Sequence, residues 1–176
     1  MSGIITYGSY YGTTRCYAEK LGDMLGFPVK DYREIKSLDG FETVIHFGGL
    51  YAEKVIGLKE IVRILPDDGA IIICTVGIAN PKVKKSVDFI RKGIAKQIPT
   101  DVFERAECFH FRGGIDYSRL SFKHKMMMGM MCKFLKKKPE NEKTEDDRLL
   151  IKTYNQKLDL VNIEDLNPLF EKIICR

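Results

Sequence analysis

The sequence predicts an α/β fold, a five-stranded parallel sheet with helices on both faces. Three observations carry that prediction. Short apolar runs alternate with segments of helical periodicity along the chain. One run, Ala70 to Val76, is apolar almost throughout, as a strand buried on both faces requires. Four loops that follow strands begin with or contain glycine, namely Gly8 to Thr14, Gly48 to Lys54, Gly77 to Lys82 and Arg112 to Tyr117. In such a sheet these loops gather outside the carboxyl ends of the strands, where ligands sit.

Each element follows in order. Gly3 to Tyr7 is the first strand, and an amphipathic helix runs from about Thr13 to Leu25. Gly26 stops that helix, and Pro28 opens a short strand near Val29 to Tyr32. A turn at Asp39-Gly40 precedes a third strand, Thr43 to Phe47, which ends in Gly48-Gly49. Leu58, Ile61, Val62 and Leu65 share one helical face, so a helix is expected from about Gly57 to Leu65, ended by Pro66-Asp67-Asp68-Gly69. After the strand Ala70 to Val76, a helix is expected from about Val83 to Gln97. The fifth strand falls at Phe103 to Phe111 and a long helix at about Tyr117 to Lys137. Pro139 to Arg148 reads as a solvated loop or helix start. The last helix begins after Asn162, a good N-cap, and ends near Cys175.

Composition bounds the function. The 176 residues are read as a single domain, large enough to bury a real core. No apolar run reaches membrane-spanning length and the N-terminus enters a strand directly, which predicts a cytoplasmic protein. The five cysteines are scattered and lack C-x-x-C spacing, an arrangement that suits a reducing compartment and argues against structural zinc. Cys74 and Cys108 lie in strand-like runs and read as small buried thiols. His46, His110 and His124 are far apart in sequence, so no metal site is expected.

The first loop carries the chemistry. Gly8-Ser9-Tyr10-Tyr11-Gly12-Thr13-Thr14 joins a strand to a helix, so backbone N–H groups converge on one spot where the helix dipole favours an anion. Ser9, Thr13 and Thr14 add hydroxyl donors. Gly12 is followed by Thr13-Thr14-Arg15 and not by Gly-Lys-Ser/Thr, which excludes a nucleoside-triphosphate loop. Gly8 and Gly12 do not supply the dinucleotide spacing G-x-G-x-x-G. No acidic residue stands at the strand end, as a phospho-receiver would need. What remains suits one terminal phosphate monoester. The alternative is a tight turn with no ligand.

With these residues in place, the chain resembles the flavodoxin-type FMN domains. Their phosphate loop, Thr/Ser-x-Thr-Gly-x-Thr, is matched by Ser9, Gly12 and Thr14, with Tyr11 in place of the second hydroxyl residue. The resemblance implies a three-layer sandwich with strand order 2-1-3-4-5 and FMN as cofactor. It implies that Ser9, Thr13, Thr14 and nearby backbone amides hold the phosphate, that Tyr11 and Gly12 belong to the same cofactor loop, and that Tyr10 or Tyr51 lies against the ring. Gly48, Gly49, Leu50 and Tyr51 would contact one side of the flavin ring, with Gly49 the candidate for the peptide that bonds its reducible nitrogen. Gly77, Ile78, Ala79 and Asn80 would contact the other side, with Gly113 and Gly114 close by. A narrower resemblance, to the quinone-dependent protoporphyrinogen oxidases of flavodoxin type, rests on Tyr51 and on Gly113-Gly114-Ile115-Asp116-Tyr117 running into a basic, methionine-rich helix. The region 117–160 is then an insert before the last helix. Ordinary flavodoxins are acidic and often carry a Trp at the flavin. This chain has net charge +5 and no Trp.

The long helix is the second clue. Leu120, Met127, Met131 and Phe134 recur at roughly helical spacing, with Met126, Met130 and Leu135 widening the stripe. Arg119, Lys123, Lys125, Lys133, Lys136, Lys137 and Lys138 accompany it with no acidic residue. Such a segment, 119–138, can lie on the inner face of a membrane or cover a flavin edge. It can also simply pack on the sheet. The expected partners are FMN and a redox partner protein, quinone or small-molecule substrate. Nucleic acid is not expected, because the basic run lacks interleaved aromatics. A non-catalytic binding module on the same fold is the second reading.

Overall fold

In the computed structural model, which describes residues 2–51, 53–67 and 69–175, the chain begins with β1 (Gly3–Gly8), α1 (Thr13–Leu25), β2 (Val29–Asp31) and β3 (Thr43–Tyr51). There follow β4 (Lys54–Val55), α2 (Leu58–Arg63), β5 (Ala70–Gly77), α3 (Lys84–Ala95), α4 (Thr100–Arg105) and β6 (Glu107–Arg112). The last part holds β7 (Gly114–Asp116), α5 (Phe122–Lys137), α6 (Glu145–Lys152), β8 (Lys157–Asp159) and α7 (Asn167–Ile174).

Five strands pair in parallel in the order β2-β1-β3-β5-β6, the order that the resemblance implies once the short β4 is set aside. Side chains alternate across this sheet, so each strand feeds two cores. Ile5, Ile45, Phe47, Ile72, Cys74 and Phe111 pack on one face against Tyr17, Ala18 and Leu21 of α1 and Leu169 and Ile173 of α7. Ile4, Val44, Ile71 and Ile73 pack on the other face against Leu58 and Ile61 of α2, Ile90 and Ile94 of α3 and Val102 of α4. Both faces of β5 are therefore dry, which explains its unbroken apolar run. Cys74 lies fully buried in it, and burial pushes its thiol well above the ordinary value. Cys108 is only half-buried.

Several expectations need correction. β3 does not stop at Phe47: it continues through Gly48-Gly49 to Tyr51 and turns back into β4, pairing Leu50 with Val55. Ala52 of that loop and Asp68 of the turn after α2 lie outside the described residues. The helix expected from Gly57 ends at Arg63, and the one from Val83 ends at Ala95. Phe103 is in α4, not in the fifth strand. Pro99 holds an extended N-cap conformation there, and the strand begins only at Glu107, opposite Ile72. The long helix starts at Phe122 and not at Tyr117, because Ser121 caps it, its hydroxyl accepting the His124 N–H at 3.3 Å. Residues upstream form β7, which pairs antiparallel with β8 some forty positions away.

Pro139 to Arg148 contains the expected helix start, at Glu145. Thr144 and Asp147 cap α6 reciprocally, hydroxyl to N–H at 3.1 Å and carboxylate to N–H at 3.0 Å. Asn162 does act as an N-cap, but of a 3₁₀ turn, Ile163–Leu166, that leads into α7. No helix among the described residues is long and apolar enough to cross a membrane, and no group of three or more metal-ligating side chains gathers among them.

Candidate functional site

Outside the carboxyl ends of β1, β3, β5 and β6 lies a cavity of about 440 Å³. The turn after β1 forms its polar end. Gly12 there has φ of 98°, a left-handed conformation that favours glycine, and no atom lies within 4 Å of where its Cβ would be. Its N–H donates to the Ser9 hydroxyl at 3.0 Å. The first turn of α1 contains no acidic residue, so its unpaired N–H groups and dipole stay available to an anion. Arg15 does not face that spot. It pairs with Glu19 at 2.7 Å and lies over the Tyr7 ring.

Gly49 makes room for Thr14, and Gly113 for Val76, whose Cγ1 a Cβ would meet at 2.9 Å. A Cβ on Gly49 would lie 3.2 Å from Thr14 Oγ1, and one on Gly113 would lie 3.5 Å from Thr13 Oγ1. Gly49 is anchored by its carbonyl, which accepts the Ile56 N–H at 3.1 Å. Of the residues that the sequence nominates, Ser9, Tyr10, Tyr11, Thr13, Thr14, Gly49, Leu50, Tyr51, Gly77, Ile78, Ala79, Gly113 and Gly114 all line this one cavity. Gly12, Gly48 and Asn80 stand outside the lining. Gly12 caps α1. Gly48 lets β4 approach, for a Cβ there would meet Val55 Cγ1 at 2.1 Å. Asn80 turns its side chain back to accept the Lys82 N–H at 3.0 Å.

The rim is aromatic. Tyr10 is 62% exposed and meets the Tyr51 ring edge-on, centroids 5.4 Å apart. Tyr51 lies 4.5 Å from the His124 ring, and its hydroxyl is 3.2 Å from His124 Nδ1. The Tyr11 hydroxyl hydrogen-bonds that same nitrogen and also accepts the Ser121 N–H at 3.3 Å. Burial pushes the Tyr51 phenol up, so it stays neutral. His124 is a site residue that sequence reasoning missed, since nothing in its spacing links it to a loop more than seventy positions upstream.

The opposite wall comes from the segment 117–160. Leu120, Met127, Met128 and Met131 line it with Leu150 of α6. The methionine stripe therefore splits. Met127 and Met131 face the cavity and Leu135 is buried, while Met126, Met130 and Phe134, expected on the same stripe, point outward with Phe122. The cavity thus has a hydroxyl-bearing turn at one end, glycine-bearing walls, and an adaptable apolar wall at the other end.

Residues 4–142 match the flavodoxin domain family, and the chain belongs to that family. No curated protein matches the sequence. Among solved structures, it is similar to a Bacteroides uniformis protein assigned as a flavoprotein, at 8% identity and a TM-score of 0.48, covering 64% of this chain and 90% of that one. It is also similar to a Fusobacterium nucleatum flavodoxin variant bound to flavin mononucleotide, at 15% identity and a TM-score of 0.40, covering 64% and 69%. A third is a Lactobacillus acidophilus flavoprotein in complex with FMN, at 9% identity and a TM-score of 0.41, covering 63% and 91%.

Proposed function

We propose that this protein binds FMN and works as a flavin redox protein, one domain whose insert closes the cofactor site. The observation that carries the reading is the single cavity that joins the Ser9–Thr14 turn to glycine-bearing walls. The residues fit the group: Gly49 leaves open the space beside Thr14, and Gly113 the space against Val76, that a Cβ would crowd. Ser9, Thr13, Thr14 and the first N–H groups of α1 would hold the phosphate. Leu50 and Tyr51 on one side, and Gly77, Ile78 and Ala79 on the other, would flank the ring. Bound there, FMN supplies one- or two-electron transfer, while the chain binds, orients and shields it. The test is the absorbance spectrum of the purified protein with released cofactor identified by mass, followed by FMN titration. A flavin spectrum and saturable binding are expected. A colourless protein that takes up no FMN overturns the reading.

The finer proposal is an oxidoreductase of the protoporphyrinogen oxidase type, with a quinone or other small molecule as acceptor. Tyr51 at the rim and the Met127, Met128 and Met131 wall support it. Porphyrinogen oxidation by the FMN-loaded protein with a quinone acceptor is the expected result, and its absence removes that substrate. The outward face of α5 supports contact of 119–138 with an anionic membrane. Phe122, Met126, Met130 and Phe134 follow one another at i, i+4 spacing and are 82%, 54%, 60% and 65% exposed among the lysines.

A further inference from the structure

We propose that Asp146 is a positioning residue of the cofactor site, holding the Gly77–Asn80 wall in the shape that receives the flat ring. This rests on the FMN reading above. Asp146 belongs to the segment that the sequence presents as solvated, yet its side chain is only 19% exposed. One carboxylate oxygen accepts the Arg112 guanidinium at 2.7 Å. The other accepts the backbone N–H of Asn80, also at 2.7 Å. Arg112 in turn donates to the Ile78 carbonyl from Nη2 at 2.9 Å and from Nε at 3.2 Å. The ring of contacts closes on itself. It pins the wall by a carbonyl at Ile78 and by an amide at Asn80, with Ala79 between them facing the cavity.

Both anchors of this clamp are themselves fixed. Arg112 ends β6 in register with Gly77, and its own carbonyl accepts the Tyr17 hydroxyl at 2.8 Å. Asp146 stands in the first turn of α6, which the Thr144–Asp147 capping box holds in place. Leu150, four residues on and so on the same helical face, lines the cavity. One helix therefore both fills the apolar wall and fixes the loop across from it. Charge-assisted bonds at these distances are the strong kind, and this pair is largely shielded from water, unlike Arg15–Glu19 or Lys84–Asp88. Without Asp146, the Asn80 N–H loses its acceptor and the wall loses one of its two fixed points.

The experiment compares Asp146→Asn with Lys138→Met, which breaks the other enclosed ion pair of the insert, Lys138–Asp147, and leaves Asp146 and its partners in place. Two quantities are read: amide hydrogen exchange over residues 78–82 without cofactor, and the Kd for FMN by fluorescence quenching. Asp146→Asn leaves one acceptor oxygen for the two donors Arg112 and Asn80, so it is expected to speed exchange at Asn80 and to weaken FMN binding about tenfold, the worth of one charge-assisted bond. Lys138→Met is expected to stay within about twofold in both. Unchanged exchange and Kd in Asp146→Asn overturn the proposal, and so do equal losses in the two variants, which would mean only a loosened insert. A wild-type protein that binds no FMN removes the cofactor reading instead, and the exchange data then decide the pinning of the loop alone.

Discussion

Acidification should destabilise this fold through His46, and the size of the effect can be worked from its surroundings. His46 sits in the middle of β3, between Thr6 of β1 and Ile73 of β5, and is fully buried. Its Nε2 lies 2.9 Å from the Ile56 carbonyl, which can only accept, so Nε2 carries the proton. Nδ1, 2.9 Å from Thr6 Oγ1, is then the bare nitrogen and accepts that hydroxyl. Burial lowers the pKa from 6.5 to about 4, against a smaller opposing pull from the Ile56 carbonyl. The unfolded chain takes up the proton below pH 6.5 while the folded one refuses it until about pH 4. Stability from this group is therefore intact above the unfolded value and falls as pH drops through that window. The loss is about 2 kcal/mol at pH 5 and about 3 kcal/mol at pH 4 and below. Urea unfolding from pH 7.5 to pH 5 at constant ionic strength measures the sum of this loss and that of His110, whose pKa burial also lowers to about 4, and NMR titration of the two rings separates them. A folded-state His46 that titrates near 6.5, or a stability flat across that range, refutes the reasoning. The consequence reaches the site. Ile56 lines the cavity, and its carbonyl would lie 2.3 Å from a Cβ on Gly8, so His46 fixes the segment that floors the pocket.

Two further outcomes are expected. Thr14→Glu puts a carboxylate at the N-terminus of α1 inside the phosphate turn; like charges there cost several kcal/mol, so FMN affinity should fall by more than about 100-fold in a fluorescence titration. Unchanged affinity would remove the turn from the site. Phe122→Ser with Phe134→Ser strips the two most exposed rings from the outer face of α5. Pelleting with anionic vesicles should drop sharply, since each ring is worth about 2 kcal/mol on burial, while FMN binding stays constant. Equal pelleting of wild type and variant, or none by either, would leave that face without a lipid role.

The sheet and its loops were legible because parallel strands buried on both faces need apolar runs, and because close approach at their ends needs glycine. Ala70 to Val76 and Gly48-Gly49 record both demands directly. The α4 region was misread for a local reason. Val102 and Phe103 continue the apolar signal of Phe109 and Phe111, and hydrophobicity alone does not separate a short buried helix from a strand. Pro99-Thr100-Asp101 was the available signal for a helix start. The insert was illegible for a different reason. Its determinants are pairings across the chain, Ile115 with Leu158 and Asp146 with Asn80, and no periodicity encodes them. α5 adds a further difficulty, since it carries an apolar face toward the cavity and another toward solvent. The two merge into one broad stripe when read along the sequence.

The insert bears on which redox chemistry the site supports. It is tied to all four loops at the carboxyl ends of the strands. His124 meets Tyr11 and Tyr51, Asp146 holds Asn80, and Gly113 accepts the Leu160 N–H at 3.1 Å beside the β7–β8 ladder. These ties bring Leu120, Met127, Met128 and Met131 over the cavity as a wall. A shuttle that passes electrons to a protein needs its ring edge presented at the surface, whereas in the FMN reading proposed above Leu120, Met127, Met128 and Met131 would wall the cofactor's cavity. A small acceptor entering beside Tyr10 meets no such obstacle, and the flexible thioethers can adjust around it. The basic, Trp-free composition points the same way. These features support the proposed reading of an enzyme acting on a small molecule within its own cavity, over a carrier that docks on other proteins.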